Sequence, residues 1–260
     1  VLRAVGVQLL VPQPELVRIL EEEYHPALTA TLQTDVDAAV DARQKSTMAK
    51  EEQRRLERQR LTDPPQWGPP LRTIDFSGMP PVAESFISPH NEEPFRITAA
   101  GLQVRGHANT YAFLKIPLEV VCSGVTVKLR HGTDGGMSWG PAIALQWSEG
   151  TIIRLGTRSE GKLQADVLGT QHYGFVHDPT DWIWLRCRWY ERLGLVESSR
   201  DGITFAPLWT FQHSGTLNRP TAALLVGKVP YNGQAVDYTD LGPEGECTFG
   251  EVRIHGAATE

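Results

Sequence analysis

The chain reads as a mainly β protein: an antiparallel two-sheet sandwich over residues 71–260, preceded by an N-terminal α-helical arm. Three observations predict this. From Leu71 onward apolar residues recur with period two, glycine-bearing turn signals interrupt the pattern at short intervals, and no βαβ alternation is present. The expected organisation is an arm over 1–63, a Pro-rich linker over 64–70 and the sandwich over 71–260.

Within the arm, Val5-Gly-Val-Gln-Leu-Leu-Val11 is a short apolar run, either a strand that joins a sheet or the tail of an upstream domain. Pro14 and Glu15 suit a first helical turn. Leu16, Ile19, Leu20, Tyr24, Leu28, Leu32, Val36 and Val40 mark an apolar stripe, which Pro26 is expected to kink or restart. From Arg43 to Arg60 the stripe thins to Met48 and Leu56, with seven Lys/Arg against three Glu. That local charge reads as a solvated helix face rather than a basic arm for an acidic partner. Thr62-Asp-Pro-Pro-Gln-Trp-Gly-Pro-Pro70 carries four prolines in nine residues and is expected to be a stiff, extended connector.

Candidate strands follow at 71–76, 94–98, 101–105, 111–116, 119–130, 142–148, 151–156, 162–168, 181–190, 193–199, 203–211, 222–230 and 247–255. Ala100-Gly101, Asp134-Gly135-Gly136, Glu149-Gly150, Glu160-Gly161, Asp201-Gly202 and Asn232-Gly233 supply the turns. Asp134-Gly-Gly-Met-Ser-Trp139 nearly matches the Asp-box turn of sialidase-like propellers, but Gly132 stands where its Ser belongs. The preferred reading is a hairpin turn in which Asp accepts backbone N–H bonds.

Composition narrows the function classes. A net charge of −6 argues against a nucleic-acid-binding surface as the main activity, and no apolar run approaches the ~18–20 residues that span a bilayer. Cys122, Cys187 and Cys247 have no CxxC spacing and sit in strand-like runs, so buried thiols are expected; one disulfide plus a free thiol is the alternative. The cysteines leave the compartment open.

Alternation in 181–190 places Ile183, Leu185, Cys187 and Trp189 on one face, and Trp184, Arg186, Arg188 and Tyr190 on the other. The apolar set should face the opposing sheet. The second set, with Gln146, Arg154 and Glu197 as companions, combines rings with guanidinium donors in a way that suits a sugar. Catalysis would need more. A glycosidase requires two matched carboxyl groups, and Glu191, Glu197 and Asp201 show no such pairing. A lyase would want Tyr, His and Arg together; His172-Tyr-Gly-Phe-Val-His177-Asp178 is the one dense cluster of that type, expected in a loop. No HExxH, phosphate loop, nucleophile elbow or dinucleotide fingerprint occurs.

Several pieces together resemble the concanavalin A-like lectin/glucanase superfamily, in particular the accessory sandwiches of bacterial glycosidases. They are Phe95-Arg-Ile-Thr-Ala-Ala-Gly-Leu-Gln-Val-Arg105, Trp182-Ile-Trp-Leu-Arg-Cys-Arg-Trp-Tyr190 with Val196-Glu-Ser-Ser-Arg-Asp-Gly-Ile-Thr-Phe205, and Phe249-Gly-Glu-Val-Arg-Ile254. Phe205 replaces the usual Trp, and the E-x-D-x-x-E strand of the family's glucanases is absent. The resemblance covers about 71–260 and no part of the arm. It implies a jelly-roll sandwich and a glycan ligand, with no cofactor required; the compartment stays open, an extracellular or periplasmic setting being slightly favoured. It also implies a structural Ca²⁺, for which Asp75 and Glu251 are the candidate ligands. The expected role is a carbohydrate-binding or accessory module with a protein partner reached through the arm. The alternatives are a glycoside hydrolase or lyase working in the sandwich groove, and a purely structural module.

Overall fold

The computed structural model describes residues 18, 26–63, 66–82, 84–136, 140–148, 150, 152–230 and 239–259. The chain divides into two compact units, 1–64 and 65–260. The first contains helix α1 (Pro26–Thr62), so Pro26 stands at its start, where a missing N–H costs nothing. Val40, Met48 and Leu56 are exposed along it, and Arg55 pairs with Glu52 one turn away at 2.6 Å. The apolar run 5–11 and the expected first helical turn at Pro14 lie outside the described residues. The helix is too polar to cross a membrane.

The second unit holds β1 (Gln66–Trp67), β2 (Arg72–Ile74), β3 (Glu84–Ile87), β4 (Phe95–Thr98), β5 (Gly101–His107) and β6 (Ala112–Val120). Next come β7 (Gly124–Arg130), β8 (Pro141–Trp147), β9 (Ile152–Arg158), β10 (Lys162–Val167), β11 (Thr170–Val176) and β12 (Trp182–Tyr190). The last are β13 (Leu193–Ser199), β14 (Ala206–Gln212), β15 (Thr221–Lys228), β16 (Glu244–His255) and β17 (Ala258–Thr259). One sheet runs β11-β10-β9-β8-β15-β6-β3 and the other β14-β13-β12-β7-β16-β5-β4, with β2 beside β16. All pairings are antiparallel. The protein is thus an antiparallel sandwich with a helix before it.

Alternation builds the core. Val125, Val127 and Leu129 of β7, Ile183, Leu185, Cys187 and Trp189 of β12, and Ile143, Leu145 and Trp147 of β8 all point between the sheets. Trp147 and Trp189 meet edge to face across the gap, centroids 5.9 Å apart. The three cysteines are free and buried. A second, smaller cluster of Phe113, Ala142, Ala144, Leu225 and Val229 fills part of the opposite face of the seven-stranded sheet.

Several elements differ from the sequence reading. The expected strand 119–130 is two strands, because the chain leaves one sheet at Val120 and enters the other at Gly124. Residues 170–176, expected as a loop, form edge strand β11. The turn that creates it is Leu168-Gly169, both at positive φ, 52° and 81°; a leucine there carries no turn signal. β3 was not foreseen. Ile203–Phe205 belong to the Asp201 turn, so β14 begins only at Ala206. Within the expected linker, β1 pairs with β17, which ties Trp67 to the sandwich.

Candidate functional site

The solvent side of the eight-stranded sheet carries the chemistry. On β12 every second residue points there: Trp182, Trp184, Arg186, Arg188 and Tyr190. Register sets Arg186 directly opposite Glu197 of β13. Arg186 Nε and Nη2 donate to the two carboxylate oxygens of Glu197 at 2.7 and 2.9 Å, and Arg188 Nη2 adds a third bond at 2.8 Å. This bidentate pairing, with a second arginine, holds Glu197 in place although its side chain is only 3% exposed.

Rings cover the pair. The Arg186 guanidinium lies 3.8 Å from the Phe205 ring centre and 5.7 Å from that of Trp67, and Arg188 is 5.8 Å from Trp67. Trp67 stacks on His255, centroids 3.9 Å apart with 12° between planes. Gly124 makes room for it: a Cβ there would fall 2.0 Å from the Trp67 ring. His255 Nε2 lies 3.0 Å from Thr126 Oγ1, and its pKa is pushed down to about 4, first by burial and then by Arg186 and Arg253.

A ladder of cations and rings crosses the same face. Arg253 sits 5.0 Å from the Trp184 ring, Lys128 lies 5.6 Å from Trp184 and 4.8 Å from Trp182, and Arg130 lies 5.2 Å from Trp182. Trp184 is 8% exposed, which corrects the expectation of an open ring at that position. The Asp201-Gly202 turn folds over it, since a Cβ on Gly202 would meet the indole at 2.6 Å. Trp182 remains partly accessible.

Two expected companions are elsewhere. Gln146 and Arg154 belong to β8 and β9 of the seven-stranded sheet. Arg154 is fully buried: its Nε donates to Val229 O at 2.9 Å and its Nη2 to Gly140 O at 3.0 Å, while Nη1 stands 3.6 Å from Asp166. Burial raises the pKa of Asp166, and Arg154 opposes that shift. Sequence alternation finds which residues share a side of a strand, but not which sheet the strand joins.

Of the other candidate carboxylates, Asp201, Asp75 and Glu251 are engaged locally. Asp201 accepts the Ile203 N–H, the Ser199 hydroxyl and the Thr204 N–H at 2.7–2.8 Å, which hold its pKa at about 2. Glu191 is exposed at the β12–β13 turn. Asp75 accepts the N–H and hydroxyl of Ser77 at 3.0 and 2.8 Å, and Glu251 pairs with Arg253. Among the described residues no group of three or more His, Cys, Asp and Glu is placed to hold a metal. The 172–178 cluster is dispersed: His172 faces Trp209 at 5.9 Å, Tyr173 points to the other side beside Arg158 and Lys162, and His177 is buried.

Sequence reasoning missed the buried ion pair of Lys228 with Asp134, both wholly inaccessible. Asp134 also accepts the Gly136 N–H at 2.7 Å, while Met137–Trp139 of the Asp-box-like segment lie outside the described residues. It also missed Trp67. The one available signal was a tryptophan in a segment otherwise made of linker residues.

Neither a protein-family profile nor a curated protein sequence matches the chain. Solved structures do. The laminarinase catalytic domain of Thermotoga maritima aligns with a TM-score of 0.50 at 11% identity, covering 75% of this chain and 100% of its own. LamA of Zobellia galactanivorans, in complex with laminaritriose and laminaritetraose, gives 0.51 at 13%, covering 73% and 99%. A non-specific endo-β-1,3(4)-glucanase of family GH16 gives 0.51 at 12%, covering 74% and 99%. The fold is the concanavalin A-like jelly roll. At these identities the likeness is one of fold. In this jelly roll the ring-and-cation face lies on the eight-stranded sheet, and the buried Arg154–Asp166 pair lies on the seven-stranded one.

Proposed function

We propose that the sandwich is a non-catalytic carbohydrate-binding module of a glycan-processing protein or assembly, with the helical arm as its tether to a protein partner. The observation that carries this reading is the solvent side of the eight-stranded sheet, where Trp182 and Phe205 are partly accessible beside Lys128, Arg130 and Arg186. Rings cover the C–H faces of sugars, and guanidinium and ammonium donors meet their oxygens. Structures of the same fold act on or hold glucans, which supports a glycan ligand here.

A second reading, a glycoside hydrolase, is favoured by the catalytic domains among those structures. Hydrolysis needs two carboxyl groups about 5–10 Å apart and free to reach the substrate. Glu197 is held by two arginines, Asp201 by its own turn, and Asp166 lies beneath the surface with Arg154 and Gln164. The binding module is therefore the preferred reading. Binding to an immobilised glycan panel, followed by assay of reducing-sugar release from each bound glycan, tests it. Retention of at least one glycan without hydrolysis is expected, with weaker retention in Trp182→Ala. Release of reducing ends by wild type would overturn the non-catalytic reading, and failure to retain any glycan would overturn the carbohydrate reading.

A further inference from the structure

We infer that the glycan bound at this face is an acidic polysaccharide, one that carries carboxylate or sulfate groups, and that it lies across Arg130, Lys128 and Arg253, the cations of the ladder built on Trp182 and Trp184. This rests on the carbohydrate reading above and specifies its ligand class.

The charge balance is the first argument. The ladder has three cations, and among the described residues their one ion pair is that of Arg253 with Glu251. Among the described residues neither Lys128 nor Arg130 makes an ion pair, and the hydrogen bond of Arg130 to Thr248 Oγ1 is long at 3.5 Å. The chain as a whole carries −6, so this local excess of positive charge runs against its average. An anionic chain is drawn to such a patch and repelled by the rest of the surface.

Preorganisation is the second. Each cation stands over one or two indole rings, which hold it in position and remove part of its hydration. Trp182 is itself seated against Gly250, where a Cβ would come within 3.2 Å of the ring and 3.0 Å of the Lys128 stem. Cations fixed in this way lose less side-chain freedom on meeting an anion than free surface lysines do.

The same geometry distinguishes among polyanions. A single-stranded nucleic acid binds by stacking bases on free aromatic faces. Here Trp184 is buried beneath the Asp201-Gly202 turn and Trp182 is only partly accessible, so the face offers no row of open rings for successive bases, while Lys128, Arg130 and Arg253 are partly accessible to carboxylate or sulfate oxygens. Guanidinium groups match both oxyanions with paired N–H donors.

The test is calorimetric titration with polygalacturonate, with a sulfated galactan, with neutral laminarin and with oligo-dT, at two salt concentrations. At least one acidic polysaccharide should bind more tightly than laminarin, the two acidic arms separating carboxylate from sulfate. Its binding should weaken with salt, and by about tenfold or more in Lys128→Gln/Arg130→Gln. Lys128→Arg should retain it. If the double variant melts early, Arg130→Gln alone gives the reading, because Arg130 ends the ladder; about threefold loss is expected from one phosphate-like contact. Equal binding of laminarin, or an unaffected pair of variants, would overturn the acidic-ligand inference and leave the carbohydrate reading standing. Tighter oligo-dT binding would overturn the polysaccharide class. Binding of none of the four would overturn this inference, and the wider glycan panel would still decide the carbohydrate reading.

Discussion

Trp67→Ala should both destabilise the sandwich and release His255. Trp67 is partly buried, stacked on His255 and seated in the slot left by Gly124. If roughly two-thirds of a ~200 Å² aromatic side chain is buried, its loss costs about 3 kcal/mol at ~25 cal/mol per Å². For a domain of this size that lowers Tm by about 6–12 °C. The second effect has a definite sign. Burial and the facing Arg186 and Arg253 keep folded His255 neutral down to about pH 4. An unfolded histidine takes its proton near ~6.5, so between these values the unfolded state binds more protons, and stability is lost as the pH drops from ~6.5 toward about 4. That linkage is worth about 2–3 kcal/mol when summed over the interval. With Trp67 gone, water reaches the imidazole, its pKa rises, and much of the slope disappears. Urea unfolding at pH 7 and 4.5, with imidazole titration by NMR, should therefore show a gap between wild type and variant that narrows in acid. Gly124→Ala should act in the same direction by displacing the ring. A chain started at residue 71 should lose the same stability that a chain started at 65 keeps. The reasoning fails if Trp67→Ala is as stable as wild type at pH 7, or if the His255 pKa does not move.

Two further outcomes follow from the core. Lys228→Met leaves Asp134 buried without its cation and should cost about 3–5 kcal/mol, whereas Lys228→Met with Asp134→Asn should recover much of that; simple additivity in denaturant titrations would refute the pairing. Burial raises the pKa of all three thiols, Cys187 and Cys247 most strongly, so a thiol reagent at neutral pH should label none in the native protein and all three in denaturant. Rapid labelling of the native protein would contradict it.

Sequence alone determined what local periodicity can determine. It separated a helical segment from a β region, and placed Ile183, Leu185, Cys187 and Trp189 toward the core, where each is at most 2% exposed. Strand alternation is a property of the pleat and needs no knowledge of neighbours. The pairing of strands depends on contacts far apart in sequence, and here the tertiary structure decided. It put Arg186 against Glu197 on one sheet and Arg154 against Asp166 on the other, though all four are polar residues within β strands. It closed Trp184 beneath the Asp201-Gly202 turn, and drew Trp67 from a proline-rich stretch into a slot that exists because residue 124 has no side chain. Burial of a ring is decided by whatever packs over it, and for both tryptophans those groups come from other parts of the chain: the turn 17–18 residues beyond Trp184, and Gly124 and His255 for Trp67.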